Sequence, residues 1–149
     1  ILDPSGFAGQ GSTVYKPAIS ADGQRLPTFK NLSQMWDTGS EYIALFPNVL
    51  LGVHNDHYFN IILTPDGVGR TSEQIELYYA DESALGDDYA EMRATNAAMW
   101  RTVFAEDIQV VEGMQRGRHA TAYDGGKFSA VMDEPTYHFH KWVAAALSA

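Results

Sequence analysis

The stretch Glu41-Tyr42-Ile43-Ala44-Leu45-Phe46-Pro47-Asn48-Val49-Leu50-Leu51-Gly52-Val53-His54-Asn55-Asp56-His57-Tyr58-Phe59-Asn60-Ile61-Ile62-Leu63-Thr64-Pro65-Asp66-Gly67 decides the fold. Its β-prone runs, Tyr42 to Phe46, Val49 to Val53 and Tyr58 to Leu63, are divided by Pro47-Asn48 and His54-Asn55-Asp56. Thr64-Pro65-Asp66-Gly67 then leads to a fourth run, Gln74 to Tyr79. Short runs of β-branched and aromatic residues closed by turn formers predict an antiparallel meander. Alternation through Leu51, Val53, Tyr58, Asn60 and Ile62 is partial, so both sheet faces are expected to be partly covered.

Downstream the period changes. Past Gly86, the residues Tyr89, Met92, Asn96, Met99 and Val103 recur every three or four positions, behind Asp87 and Asp88, which suit the positive end of a helix. No Gly or Pro interrupts until Gly113, so the helix is expected to run, straight or bent, through Glu106-Asp107 to Ile108, Val111 and Met114. His119 to Tyr123 and Phe128 to Met132, around Gly125-Gly126, read as a short hairpin or a loop. Pro135 opens a final helix, Thr136 to Leu147. Upstream, Ile1 to Leu32 mixes glycines and prolines with isolated apolar residues and reads as a loop-rich entry segment.

The whole is 149 residues, 45% hydrophobic and 19% charged, enough for one core. Nineteen acids against ten bases give a formal charge of -9 and a pI near 4.8, which excludes attraction to nucleic acid or an anionic membrane. Apolar stretches such as Ile43 to Phe46 and Val143 to Leu147 are far below the ~20 residues that span a bilayer. The expected protein is soluble and cytoplasmic. With no cysteine there is no disulfide, thiol nucleophile or cysteine-held cluster in this chain, so any metal must rest on His and carboxylates. The opening Ile-Leu-Asp-Pro has neither Met nor signal-peptide character and reads as a cut end.

One carboxylate stands in an unusual place. On a continuous helix Asp107 shares a stripe with Val103, Val111 and Met114, facing the core, where a lone charge needs a cation, a metal or a strong donor. The alternative is a helix that restarts at Glu106-Asp107 and leaves both acids in an exposed first turn. The histidines show no ligand spacing. His54 and His57 flank a turn, His138 and His140 cannot share a helix face, and His119 belongs with Arg116 and Arg118 in a basic patch. Their ordinary reading is partly exposed or hydrogen-bonded polar positions. No nucleophile elbow, Walker loop or dinucleotide fingerprint is present.

Leu45-Phe46-Pro47-Asn48-Val49-Leu50-Leu51-Gly52-Val53-His54-Asn55-Asp56-His57 comes first, then Glu106-Asp107-Ile108 continuing to Glu112 and Gln115-Arg116-Gly117. Gly126-Lys127-Phe128-Ser129 and Tyr137-His138-Phe139-His140-Lys141-Trp142 complete the series. In this order the motifs resemble the C-terminal catalytic domain of Rieske-type non-haem iron oxygenases, the large alpha subunits of ring-hydroxylating systems, from about Leu26 onward. The resemblance implies an α+β, START-like helix-grip fold: a curved antiparallel sheet packed on a long helix, with a C-terminal helix.

The resemblance also implies mononuclear Fe(II) held by two His and one carboxylate, with Asp107 as that carboxylate. It implies a Rieske [2Fe-2S] cluster in another domain, a ferredoxin or reductase donor, O2, an apolar substrate expected to be aromatic, and a homotrimer or alpha/beta oligomer. Trp100, Val103, Phe104 and Val111 are then candidate substrate-pocket walls. The family's His pair and its cluster motif have no counterpart here, so residues 1–149 are expected to be part of a catalytic domain, inactive and metal-free alone. The alternative from another class is a START-like module that binds a hydrophobic small molecule without iron.

Overall fold

The computed structural model describes residues 1–3 and 5–149. Six strands, β1 (Leu2–Asp3), β2 (Phe7–Ser12), β3 (Ser40–Leu45), β4 (Val49–Val53), β5 (His57–Pro65) and β6 (Thr71–Tyr79), form one curved sheet. Each strand pairs antiparallel with the next in chain order. The four-run meander is as the sequence predicts. The entry segment is not only loop: β1 and β2 extend the sheet, with Gln10 opposite Tyr42, and Tyr15 and Leu26 are buried.

Alternation along β5 decides which face packs. His57, Phe59 and Ile61 are buried, whereas Tyr58, Asn60 and Ile62 on the other face are half-buried, with Tyr58 stacked on Tyr78 at 4.8 Å. Phe59 and Ile61 gather Tyr42, Leu50, Leu63 and Leu77 from the neighbouring strands, and this face receives the long helix through Trp100 and Phe104. A second cluster, Leu26, Ala84 and Met92 with Ala18, Tyr79 and Tyr89, closes the start of that helix.

The long helix, α1 (Ala90–Arg118), is continuous through Glu106-Asp107 and through Gly113 and Gly117. Short helical turns at Glu82–Leu85 and Asp87–Tyr89 lead into it, and Arg93 ties them down by donating from Nη1 to the carbonyls of Ala84 and Gly86. Its buried residues are Met92, Asn96 and Trp100, an i, i+4 stripe. Met99 and Val103, expected inward, are each 38% exposed. The helix is rolled so that the larger aromatic surfaces of Trp100 and Phe104 meet Phe59, which removes more apolar area from water than Met99 and Val103 would.

Beyond Phe104, α1 is uncovered: Ile108, Val110, Val111 and Met114 are all more than half exposed. The segment between the helices is turns and loop rather than a hairpin. The last helix, α2 (Glu134–Leu147), has Pro135 in its first turn and docks at the β2 end of the sheet. Phe46, whose peptide bond to Pro47 is cis, meets Phe139 at 5.0 Å and Trp142 at 5.4 Å, and the His138 ring bonds the carbonyl of Asp3.

Candidate functional site

The β4–β5 turn carries four polar residues, His54-Asn55-Asp56-His57, in a row, and all four are buried. Its backbone is pinned on three sides. The His54 amide donates to the His57 carbonyl at 2.9 Å, the Phe29 amide to Asn55 at 2.8 Å, and the Ala80 amide to Asp56 at 3.0 Å. Strand alternation then aims the His57 ring toward α1, on the same face as Phe59 and Ile61.

A chain of side-chain hydrogen bonds passes through this turn. The Tyr15 hydroxyl donates to Asp56 at 2.8 Å, His57 Nδ1 meets Asp56 Oδ1 at 2.7 Å, and Trp100 Nε1 donates to His57 Nε2 at 2.7 Å. An indole nitrogen can only donate, so His57 Nε2 must accept. The ring proton therefore sits on Nδ1 and points at the carboxylate. Burial alone would push the Asp56 carboxyl up. The hydrogen bonds it accepts from His57 and the Tyr15 hydroxyl outweigh burial and hold it below the usual carboxylate range. Burial, followed by the Asp56 charge, drives the Tyr15 hydroxyl well above the ordinary phenol range, so it remains a donor.

His54 sits beside this chain and outside it. Its ring lies 4.4 Å from Tyr15, 4.7 Å from His57 and 5.1 Å from Trp100, and neither of its nitrogens has a partner among the described residues. Burial, then the neighbouring His57, depresses it to about 4. Asn96 on α1 and Ser40 at the start of β3 are likewise buried with unpartnered side-chain atoms. The layer between α1 and the sheet is thus polar at its His54 end and aromatic at Phe59, Trp100 and Phe104.

Asp107 is not buried. It lies two turns beyond Trp100 on nearly the same helix face, and it has no hydrogen-bond or ion-pair partner among the described residues. The inward stripe expected for it fails because this half of α1 is uncovered. Val111 and Met114, its companions in that stripe, are exposed as well. Among the candidate pocket walls, Trp100 is buried and Phe104 half-buried against Phe59, while Val103 is 38% and Val111 63% exposed.

A free carboxylate on a rigid helix suits the single-carboxylate position of a two-His, one-carboxylate iron site. Three of the five imidazoles are committed elsewhere. Both His57 nitrogens are engaged, His54 is walled in by rings, and His138 is bonded to Asp3. Among the described residues no group of three or more His, Asp or Glu side chains could hold a metal ion. Without cysteine this chain holds no Rieske cluster.

The residues that the sequence reading passed over are Tyr15, Asp56 and Asn96. Period-two spacing from Phe59 and Ile61 back to His57 was the available signal that this turn faces inward. Nothing local links Tyr15 to a turn 41 residues away.

The model of the family described as ring hydroxylating alpha subunit (catalytic domain) matches residues 5–149. A putrescine 2-hydroxylase of Ralstonia nicotianae is 30% identical over 117 residues, 75% of this chain and 31% of that protein. The putrescine 2-hydroxylase of Bordetella bronchiseptica is 29% identical over 141 residues, 91% of this chain and 31% of its own length. The chloroplastic choline monooxygenase of Arabidopsis thaliana is 32% identical over 104 residues, 68% and 24% respectively. The chain thus spans no more than about a third of these relatives. No solved structure matches it significantly. No helix among the described residues is long and apolar enough to cross a membrane.

Proposed function

The chain belongs to the catalytic-domain family of ring-hydroxylating oxygenase alpha subunits, and on that premise we propose that the whole protein hydroxylates a small aliphatic nitrogen compound with dioxygen. The balance is one C–H bond, one O2, two electrons and two protons, giving one alcohol and one water. Mononuclear Fe(II), with Asp107 as its carboxylate ligand, would supply the oxygen activation, and a Rieske [2Fe-2S] cluster fed by a ferredoxin or reductase would deliver the electrons. The two imidazoles and the cluster ligands belong to parts of the protein outside residues 1–149, in an assembly of several alpha subunits. Trp100 and Phe104, packed against Phe59, would stand on the side of α1 toward that site and help to exclude water from it.

The observation that carries this reading is the family match over residues 5–149, within which Asp107 stands as an exposed, unpaired carboxylate two turns beyond Trp100 on α1. An aliphatic nitrogen compound is favoured over the apolar, aromatic substrate first expected because the named relatives act on putrescine, an amine, and choline, a quaternary ammonium compound.

The test uses the intact protein, reconstituted anaerobically with iron, in the wild-type and Asp107→Ala forms. Iron content and oxygen uptake are measured with putrescine, choline and naphthalene. The expected result is uptake dependent on putrescine or choline that, together with bound iron, is lost in Asp107→Ala. Full iron and turnover in the variant would show that a different carboxylate is the ligand. Uptake with naphthalene and with neither nitrogen compound would overturn the substrate class.

A further inference from the structure

We propose that His57, locked in its Nδ1–H form between Asp56 and Trp100, is a positioning residue that fixes the roll of α1 on the sheet and so the heading of Asp107. The contacts holding the first half of α1 are of two kinds. Trp100 and Phe104 stack on Phe59 and on each other at centroid distances of 4.6 to 5.6 Å. Aromatic packing is strong but tolerates sliding and rotation. The 2.7 Å bond from the indole to His57 does not, because the N–H lies in the ring plane and must point along the imidazole lone pair.

The acceptor is itself immobile. His57 is aligned by Asp56, Asp56 by Tyr15, and the backbone around them is bonded to Phe29 and Ala80. The chain therefore joins the segment after β2, the β4–β5 turn and α1 through buried groups only, with Tyr15 the most exposed at 8%.

What this fixes lies farther along the helix. Asp107 projects about two turns, ~10 Å, beyond Trp100 and from nearly the same face, since residues seven apart differ by only ~20° around the axis. Asp107 is exposed there, and among the described residues no hydrogen bond or ion pair of its own sets its direction. If α1 rolled by ~20°, a carboxylate at ~6 Å from the axis would move by about 2 Å, whereas a metal ligand must be placed to within ~0.2–0.5 Å. A continuous helix transmits the setting made at Trp100. The consequence for iron rests on Asp107 being the ligand proposed above; the positioning itself does not.

Residues 1–149 contain no cysteine, so in the intact protein the two introduced labels are read by difference against the unsubstituted protein, whose cysteines all lie outside this chain. Nitroxide labels at Glu73→Cys on β6 and Gln109→Cys on the free half of α1 report the helix setting as a distance distribution by double electron-electron resonance. Wild type should give one narrow distribution, and Trp100→Phe, which keeps the ring stack and removes the N–H, should at least double its width. Ile61→Val, a core truncation that leaves the hydrogen bond alone, is the control and should not broaden it. An unchanged width in Trp100→Phe, or equal broadening by Ile61→Val, would overturn the proposal. If Trp100→Phe does not fold, His57→Phe removes the acceptor and is read the same way.

Nitrogen-15 spectra of the wild-type histidines provide a test without substitution: an Nε2–H form of His57 would also overturn it. In the intact protein Trp100→Phe should weaken iron binding on the order of tenfold. Asp107→Ala should leave the label distances and the His57 spectrum unmoved, so loss of the ligand reading and loss of the positioning reading are separate outcomes.

Discussion

His54 makes this domain acid-sensitive in a definite pH window. Its ring is fully buried against Tyr15, His57, Trp100 and Tyr42, without a partner for either nitrogen, and it is depressed from its ordinary 6.5 to about 4. In the unfolded chain the ring takes up a proton near 6.5, whereas the folded protein resists protonation until about 4. Between those values the unfolded state binds more protons, so stability falls as the pH is lowered through the window and is fully present above it. At ~1.36 kcal/mol for each pH unit, the whole interval is worth about 3 kcal/mol.

Asp56 acts elsewhere on the scale. Its carboxyl is held below the usual range, so its contribution is present above about pH 4 and is lost only below it. Urea unfolding of the wild type and of His54→Phe, from about pH 7 down to about pH 4.5, isolates the effect. The variant keeps a ring in the stack and has nothing to titrate. The wild type should lose about 2.5 kcal/mol more than the variant over that range, seen as a falling midpoint at constant slope. Parallel curves for the two proteins would show that the ring is reached by water or finds a partner in solution, and the reasoning would fail.

Gly52 faces Phe59 across the β4–β5 ladder, and a Cβ at that position would lie 2.1 Å from the ring's Cζ. Gly52→Ala should therefore displace Phe59 from under Trp100 and cost about 1–3 kcal/mol, read as a lower thermal midpoint. Gly117 is the opposite case, in the last turns of α1 with open space where a Cβ would be, so Gly117→Ala should stabilise by about 0.5–1 kcal/mol. A loss of stability there would mean that this half of α1 is not helical in solution.

What the sequence made legible was what was periodic. Four strands and both helices follow from apolar spacing and turn residues, and the motif order already pointed to the family. The strand β2 was hidden because Gly9 and Gly11 read as turn residues. Gly9 is there for a different reason: a Cβ would fall 2.6 Å from the Tyr42 carbonyl, so the close approach of β2 to β3 requires its absence. The helix face was read correctly at Met92 and Asn96 and missed farther on, because Met99 and Val103, both apolar, look outward while Trp100 is buried. Spacing along α1 gave the stripe through Asp107 but could not say how far along the helix the sheet covers it. That depends on strand length and register, which join residues far apart in the chain.

The polar end of the layer under α1 has a physical logic that follows from this division of the helix. A purely apolar contact would hold α1 with more free energy, since each buried polar atom left without a partner costs about 1–3 kcal/mol, and His54, Asn96 and Ser40 all have such atoms. It would also leave the helix free to settle wherever side chains interdigitate. Trp100 could point its N–H at nothing, and Asp107, on the unsupported half, would inherit that latitude. A chain that ends in a buried carboxylate and begins in an indole permits one roll of the helix, because any other orphans the N–H inside the core. The buried histidines of the β4–β5 turn thus divide the work: His57 supplies direction through its two bonds, and His54, packed and unpaired, is the source of the acid sensitivity that accompanies a histidine-rich core.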